Sequence, residues 1–142
     1  MSKKLVLDLD FDYDFCLWGI ATSLRDYQVC LLINNALKLK MSRQPDVELP
    51  IPDHNRLLLF STFRFEDKMD KGIFHLVSNK YNGDFLVPEV RQADFFFRFT
   101  GLVPEAYIQD ISNKLRQIEK FLAVIPLKAE NLKSRMHLLA VE

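Results

Sequence analysis

The sequence contains little glycine and no excess of positive or negative charge. Only four of its 142 residues are glycine, and neither Gly19 nor Gly83 belongs to a glycine-rich loop of the kind that binds phosphate. The 19 basic side chains balance the 19 acidic ones, so the chain has no net charge. A balanced chain creates no overall field that would attract nucleic acid or anionic lipid. The sequence therefore predicts no nucleic-acid partner and no membrane partner.

Cysteine and long hydrophobic runs are also scarce. Cys16 and Cys30 lie in apolar stretches without a CxxC pair or a neighbouring histidine, which favours buried free thiols over a disulfide or a metal site. No run approaches the ~20 apolar residues of a membrane span, and the first apolar run ends at Asp8, far short of a signal-peptide core. The sequence therefore predicts a cytoplasmic protein.

What the chain has in quantity is apolar side chains. They make up 49% of the residues, and twelve of them are phenylalanine. At 142 residues, a chain of this composition can bury about two-thirds of the surface that its unfolded form exposes. We therefore expect a single globular domain over residues 1–142 with one packed core.

The order of apolar runs predicts an α+β fold in which an antiparallel sheet of about five to seven strands packs with two main helices. Strands are expected over residues 4–9, 14–22, 56–66, 72–80, 93–99 and 121–127. One helix is expected over residues 24–38. A second begins at Pro104, because apolar side chains then recur at spacings of three and four: Ile108, Ile111, Leu115, Ile118 and Leu122. Residues 42–55 contain three prolines and are expected to form a connection, with at most a short edge strand at 46–49.

Two early carboxylates offer the strongest case for catalysis. Asp8 and Asp10 follow a hydrophobic run in the pattern with which haloacid-dehalogenase-type phosphatases present a nucleophile and an acid/base group to a magnesium-bound phosphate. Phe11 and Asp12 stand where those enzymes carry a small polar turn, and no second acidic motif completes the site. A solvated strand edge is favoured. A small metal-dependent hydrolase or phosphatase using Asp8 and Asp10 is the alternative function.

Histidine and phenylalanine patterns add no site. His54, His75 and His137 are widely spaced and lack the i, i+4 partner or cysteine companion of a zinc site, so neither a metal nor a cofactor is expected. The run FFFRF at residues 95–99 is similar to an RNA-stacking strand but lacks the glycine spacing and basic context of such domains. The run is therefore expected to pack in the core.

One segment resembles a known family. In VPEVRQADF, residues 87–95, Pro88, Glu89 and Asp94 match the signature of the bacterial IPExxxVDY family, while Phe95 replaces its tyrosine. The resemblance extends to a segment near each end of the chain. It implies a compact intracellular bacterial protein of about this length, and it brings no activity, cofactor or partner with it.

The three matching residues allow two interpretations. A structural corner is favoured, because Pro88 fixes the backbone before a strand while Glu89 and Asp94 bond backbone amides or basic side chains. A binding site, or a pair of carboxylates for metal or acid/base chemistry, is the alternative.

Taken together, the sequence predicts a non-enzymatic intracellular binding or protein-interaction module. This prediction depends on the lack of a catalytic constellation and on the polar segment at 45–55. A homodimer or another protein partner is expected, since edge strands and many phenylalanines need cover.

Overall fold

The computed structural model describes residues 15–51, 55–69, 72–139 and 141. The fold is α+β, as predicted, with a six-stranded antiparallel sheet, two main helices and a small two-stranded sheet. In chain order the elements are β1 (Cys16–Ala21), α1 (Asp26–Leu37), β2 (Ser42–Ile51), β3 (Arg56–Asp67), β4 (Gly72–Ser78), β5 (Lys80–Tyr81), β6 (Asp84–Phe85), β7 (Phe95–Thr100), α2 (Glu105–Arg116), β8 (Ala123–Leu127), a 3₁₀ turn (Ala129–Asn131) and α3 (Arg135–Leu139). The strand predicted at 4–9, with Asp8 and Asp10, lies outside the described residues.

The strands of the main sheet follow the order β2-β3-β4-β7-β1-β8. The strands β3, β4 and β7, which correspond to the runs predicted at 56–66, 72–80 and 93–99, are antiparallel neighbours in this order. β1 lies between β7 and β8, pairing Gly19 with Phe96 on one side and with Ile125 on the other. Strands from the two ends of the described chain, β1 and β8, are therefore paired in the sheet.

Both faces of the sheet are covered. The helix face packs on α1 and α2 through a cluster that includes Trp18, Phe74 and Phe97. The opposite face, here called the loop face, carries a second cluster around Phe60 and Phe96. Residues 86–93 cover it together with the C-terminal segment, defined here as residues 129–139 and 141. A strand buried on both faces need not alternate between apolar and polar residues. This explains the continuous burial of the FFFRF run and confirms its predicted place in the core.

The segment predicted as a proline-rich connection is instead a ten-residue strand. β2 pairs with β3 from Ser42 to Ile51, with a register shift between Gln44 and Val47. Proline is tolerated because β2 is a terminal strand among the described residues, so an outward-facing backbone N–H has no partner strand to bond. Pro45 also lies in the bulge. The prediction of a strand limited to 46–49 was therefore wrong.

Helix α2 confirms most of its predicted apolar stripe. Ile111 and Leu115 are buried, and Asp110 pairs with Lys114 at 3.0 Å on the polar side. The helix ends at Arg116, so Ile118 and Leu122 fall outside it, against the prediction. Ile118 still packs against the core, but Leu122 is 80% exposed. No helix among the described residues is long and apolar enough to span a membrane.

The cysteines and phenylalanines behave as core residues. Cys30 is a buried free thiol, as predicted, whereas Cys16 is only half-buried. Burial, reinforced by the charge of Asp26, raises the pKa of Cys30 to about 11, so it remains protonated at neutral pH. All eleven phenylalanines in the described residues are buried or half-buried within this one chain. In the part of the chain that the structure describes, phenylalanine therefore provides no argument for a dimer.

Candidate functional site

The residues that match the family signature lie in the motif loop, defined here as residues 86–94. This loop crosses the loop face of the sheet, where Leu86, Val87 and Ala93 are fully buried. Pro88 and Glu89 are exposed at its outer turn. The loop is therefore anchored by its apolar residues and presents its polar residues outward.

Asn79, at the end of β4, holds the motif loop together. Its side chain is completely buried, and its amide nitrogen donates to the carbonyl oxygens of Val90 and Ala93, both at 2.9 Å. Its Oδ1 accepts the N–H of Val87 at 2.8 Å. A loop without ladder partners must satisfy its backbone groups in some other way. One asparagine satisfies three of them here.

Glu89 connects the motif loop to the C-terminal segment. Its carboxylate accepts the backbone N–H of Ser134 at 2.6 Å. Close by, Nδ1 of His137 lies 2.6 Å from the carbonyl oxygen of Leu86, which makes Nδ1 the donor. Partial burial alone would raise the pKa of Glu89, but the hydrogen bonds to Ser134 and neighbouring backbone groups outweigh it and the pKa is lowered.

A lowered pKa at Glu89 predicts a pH-dependent contribution to stability. The contribution is present above the ordinary value of 4.5 and is lost as the pH falls through the lower pKa of the folded state. Because the group is exposed, Glu89→Gln is expected to cost less than about 1 kcal/mol at pH 7. The difference in unfolding free energy between Glu89→Gln and wild type, measured by urea titration from pH 7 to pH 3, should shrink toward zero. A difference that stays constant over that range would contradict the assignment.

Asp94 ties the other end of the motif loop to β1 and β5. Its carboxylate accepts the N–H of Thr22 at 2.8 Å and forms an ion pair with the ammonium group of Lys80. Its backbone N–H donates to the carbonyl oxygen of Ile20 at 2.8 Å. Asp94 therefore joins two parts of the chain that are distant in sequence.

Glu89 and Asp94 thus contact different parts of the chain, Ser134 in one case and Thr22 with Lys80 in the other. These are the contacts with backbone amides and a basic side chain that a structural corner would make. The described residues contain no group of three or more His, Cys, Asp or Glu side chains placed to hold a metal ion. Asp8 and Asp10 lie outside them, so that alternative stays a prediction.

A groove of about 820 Å³ opens on the loop face beside the bulge of β2. Thr62, Arg64 and His75 line its β3 and β4 side, together with Ile73. The bulged segment 44–48 forms the opposite wall. The groove therefore lies between the edge strand and the two strands next to it.

Arg98 lies one strand beyond His75, directly opposite it in the register of β4 and β7. The side chain is 9% exposed, and the structure places no carboxylate from the described residues against it. Its guanidinium donates to the carbonyl oxygens of Leu138 at 2.7 Å and Val141 at 2.6 Å. Burial lowers the pKa of Arg98 to about 10, so the group is still charged at neutral pH. Arg98 thereby fastens the C-terminal segment to the sheet.

Arg98 also fixes the state of His75. Nη2 of Arg98 lies 3.0 Å from Nδ1 of His75. Since a guanidinium can only donate, Nδ1 must be the acceptor, and the neutral ring then carries its proton on Nε2. Thr62 lies on the neighbouring strand β3, two residues before Arg64, which pairs with His75. Its buried Oγ1 has no hydrogen-bond partner among the described residues.

The sequence prediction found part of this arrangement. Residues 63–66 alternate between aromatic and charged side chains, which predicts Arg64 and Glu66 on the face opposite Phe63 and Phe65. The structure confirms that Phe63 and Phe65 pack on the helix face. For His75 the sequence predicted only that it is not a zinc ligand. Asn79 and Arg98 were not recognised, because their partners lie 8 to 14 and 23 to 43 positions away in sequence.

Comparison with protein-family models, characterised proteins and solved structures gives no significant match. The resemblance of residues 87–95 to the IPExxxVDY family therefore stays a prediction.

Proposed function

We propose that this protein is a non-enzymatic binding module and that the groove beside the β2 bulge is its binding site. The observation that carries the proposal is the groove itself: a concavity of about 820 Å³ with buried polar residues, Thr62 and His75, beside a charged one, Arg64. Binding sites for small molecules are typically concave and about 300–1,000 Å³ in volume, a range that includes this groove.

The frame of the groove supports this proposal. Thr62 and His75 lie on neighbouring strands and are fixed by the register Thr62↔Val77 and Arg64↔His75. Side chains on paired strands keep their relative positions better than side chains on loops. The bulge between Gln44 and Val47 bends the opposite wall away from a regular ladder, and bulges often lie beside functional sites. A ligand would therefore meet a preformed surface.

A fragment screen by ¹⁵N–¹H NMR tests the proposal. The protein is mixed with neutral, cationic and anionic fragments, and amide shifts are expected to concentrate at residues 44–48, 62–64 and 73–75. The variant Ile73→Arg, which places a long side chain in the groove, should abolish them. Leu122→Arg is the matched control, since Leu122 is 80% exposed and is not part of the groove. Shifts that are absent, or unchanged in Ile73→Arg, would refute the groove as the site.

A further inference from the structure

We infer that the groove binds an organic monocarboxylate, whose carboxylate pairs with Arg64 and whose apolar body lies along Pro45, Val47 and Ile73. This inference rests on the proposed function and specifies its ligand. It depends on the charges that face the groove, on the state of His75 and on the apolar part of the lining.

Arg64 is the positive charge of the groove. Its side chain is 33% exposed, and one of its nitrogens lies 3.2 Å from Glu66. That neighbour is itself 45% exposed, so the pair is of the weak, solvent-screened kind. A guanidinium can engage a carboxylate through two parallel hydrogen bonds. Arg64 therefore retains the capacity to bind a carboxylate from a ligand.

The two acidic residues of the opposite wall do not cancel this charge. Asp46 forms an ion pair with Arg43 at 2.5 Å, and the guanidinium of Arg43 lies over the ring of Phe63, on the helix face. Val47 packs into the loop-face cluster, so Glu48, the next residue of the strand, points to the opposite face. Asp46 and Glu48 are part of the groove lining, but the ion pair with Arg43 and the alternation of β2 direct their carboxylates toward the helix face.

The remaining basic residues limit the ligand to a single negative charge. His75 is neutral, because its Nδ1 accepts a hydrogen bond from Arg98. The charge of Arg98 is engaged by the carbonyl oxygens of Leu138 and Val141 and by His75. Arg98 is not part of the groove lining. One accessible guanidinium beside Glu66 matches a carboxylate better than a phosphate dianion, which would leave a negative charge unbalanced.

The apolar part of the lining fits the rest of such a ligand. Pro45 and Val47 stand on one wall and Ile73 on the other. A groove of about 820 Å³ has room for more than the carboxylate group alone. Contact of a hydrocarbon body with these side chains would add apolar burial to the ion pair. The arrangement therefore favours an amphiphilic acid over a small inorganic anion.

Titrations with matched probes, followed by ¹⁵N–¹H NMR, test this inference. The probes are hexanoate, its uncharged counterpart hexanamide, hexyl phosphate, and a short peptide with a free apolar C-terminus. We expect hexanoate or the peptide to bind at least about tenfold more tightly than hexanamide. Arg64→Gln should remove most of that preference. Arg64→Lys should retain part of it, because lysine keeps the positive charge but cannot donate the two parallel hydrogen bonds of a guanidinium.

Arg56→Gln is the control, because Arg56 lies on the same strand and pairs with Asp84 outside the groove. Its binding should be unchanged, and a dispersed spectrum for each variant confirms that it is folded. Tighter binding of hexanoate assigns the site to free acids, and tighter binding of the peptide assigns it to a peptide terminus. Equal binding of hexanamide would overturn the carboxylate assignment and leave the proposed function standing. Preferred binding of hexyl phosphate, or an unaffected Arg64→Gln variant, would also overturn it. If no probe binds, the carboxylate assignment fails, and the fragment screen alone decides the proposed function.

Discussion

Replacing Asn79 with alanine is expected to lower the free energy of unfolding by about 3 to 4 kcal/mol. The truncation removes two donors and one acceptor at a completely buried position. The carbonyl oxygen of Ala93 and the N–H of Val87 would then lie buried without their partner. A buried polar group left unsatisfied costs about 1–3 kcal/mol, so two such groups account for most of the effect. Urea titration at neutral pH measures the loss directly.

The control for this substitution is Asn113→Ala on the exposed side of α2, which should change stability by less than about 0.5 kcal/mol. Hydrogen exchange provides a second readout, because the amide of Val87 should lose its protection in Asn79→Ala. Asn79→Asp retains the acceptor for Val87 but loses both donors, and it should protect that amide better than alanine does. An Asn79→Ala variant as stable as Asn113→Ala would show that the motif loop is held by its apolar residues alone.

Arg98→Ala is expected to destabilise the protein by about 3 kcal/mol. The substitution removes the donors to Leu138 and Val141 and vacates a space beneath the ring of Phe15, 5.2 Å from the guanidinium carbon. Besides lowering the stability of the whole protein, the substitution should loosen the C-terminal segment, because the two carbonyl oxygens belong to it. Hydrogen exchange at residues 135–141 should therefore increase more than exchange in α1.

Two further variants separate the guanidinium from its stem. Arg98→Met preserves most of the apolar volume but no donor, so it should restore packing without restoring protection at residues 135–141. Arg116→Ala, at an exposed arginine of α2, is the matched control and should leave both measurements near wild type. If Arg98→Met protected residues 135–141 as well as wild type, the hydrogen bonds from Arg98 would not be what fastens the C-terminal segment.

The fold was predictable where the spacing of apolar residues in the sequence matches the side of the element that is buried in the structure. β3 alternates in its second half, and the spacing in α2 follows one face of a helix, so each could be recognised without knowledge of its neighbours. β2 could not be recognised in this way, because Pro45 and Pro50 argue against a strand unless the strand is known to lie at an edge of the sheet. Edge position is a property of the whole sheet and has no local signal.

Among the candidate functional residues, only the two carboxylates of the motif loop were predictable from the sequence. Glu89 and Asp94 stand in a short signature, and their role as anchors follows from the chemistry of carboxylates near backbone amides. Asn79 gave no such signal, since an asparagine after a strand is typical of ordinary turns. The groove depends on residues from β2, β3 and β4 that meet through sheet register, which sequence spacing alone does not determine.

The prolines of β2 also bear on how the protein behaves at high concentration. A terminal strand ten residues long could otherwise recruit the same strand of another molecule and extend the sheet from chain to chain. Pro45 and Pro50 remove two amide hydrogens from that strand, and Arg43 and Glu48 add charge along it. A chain with twelve phenylalanines is vulnerable to aggregation whenever it is partly unfolded. The same residues that obscured β2 in the sequence therefore act as its protection against amyloid-like growth.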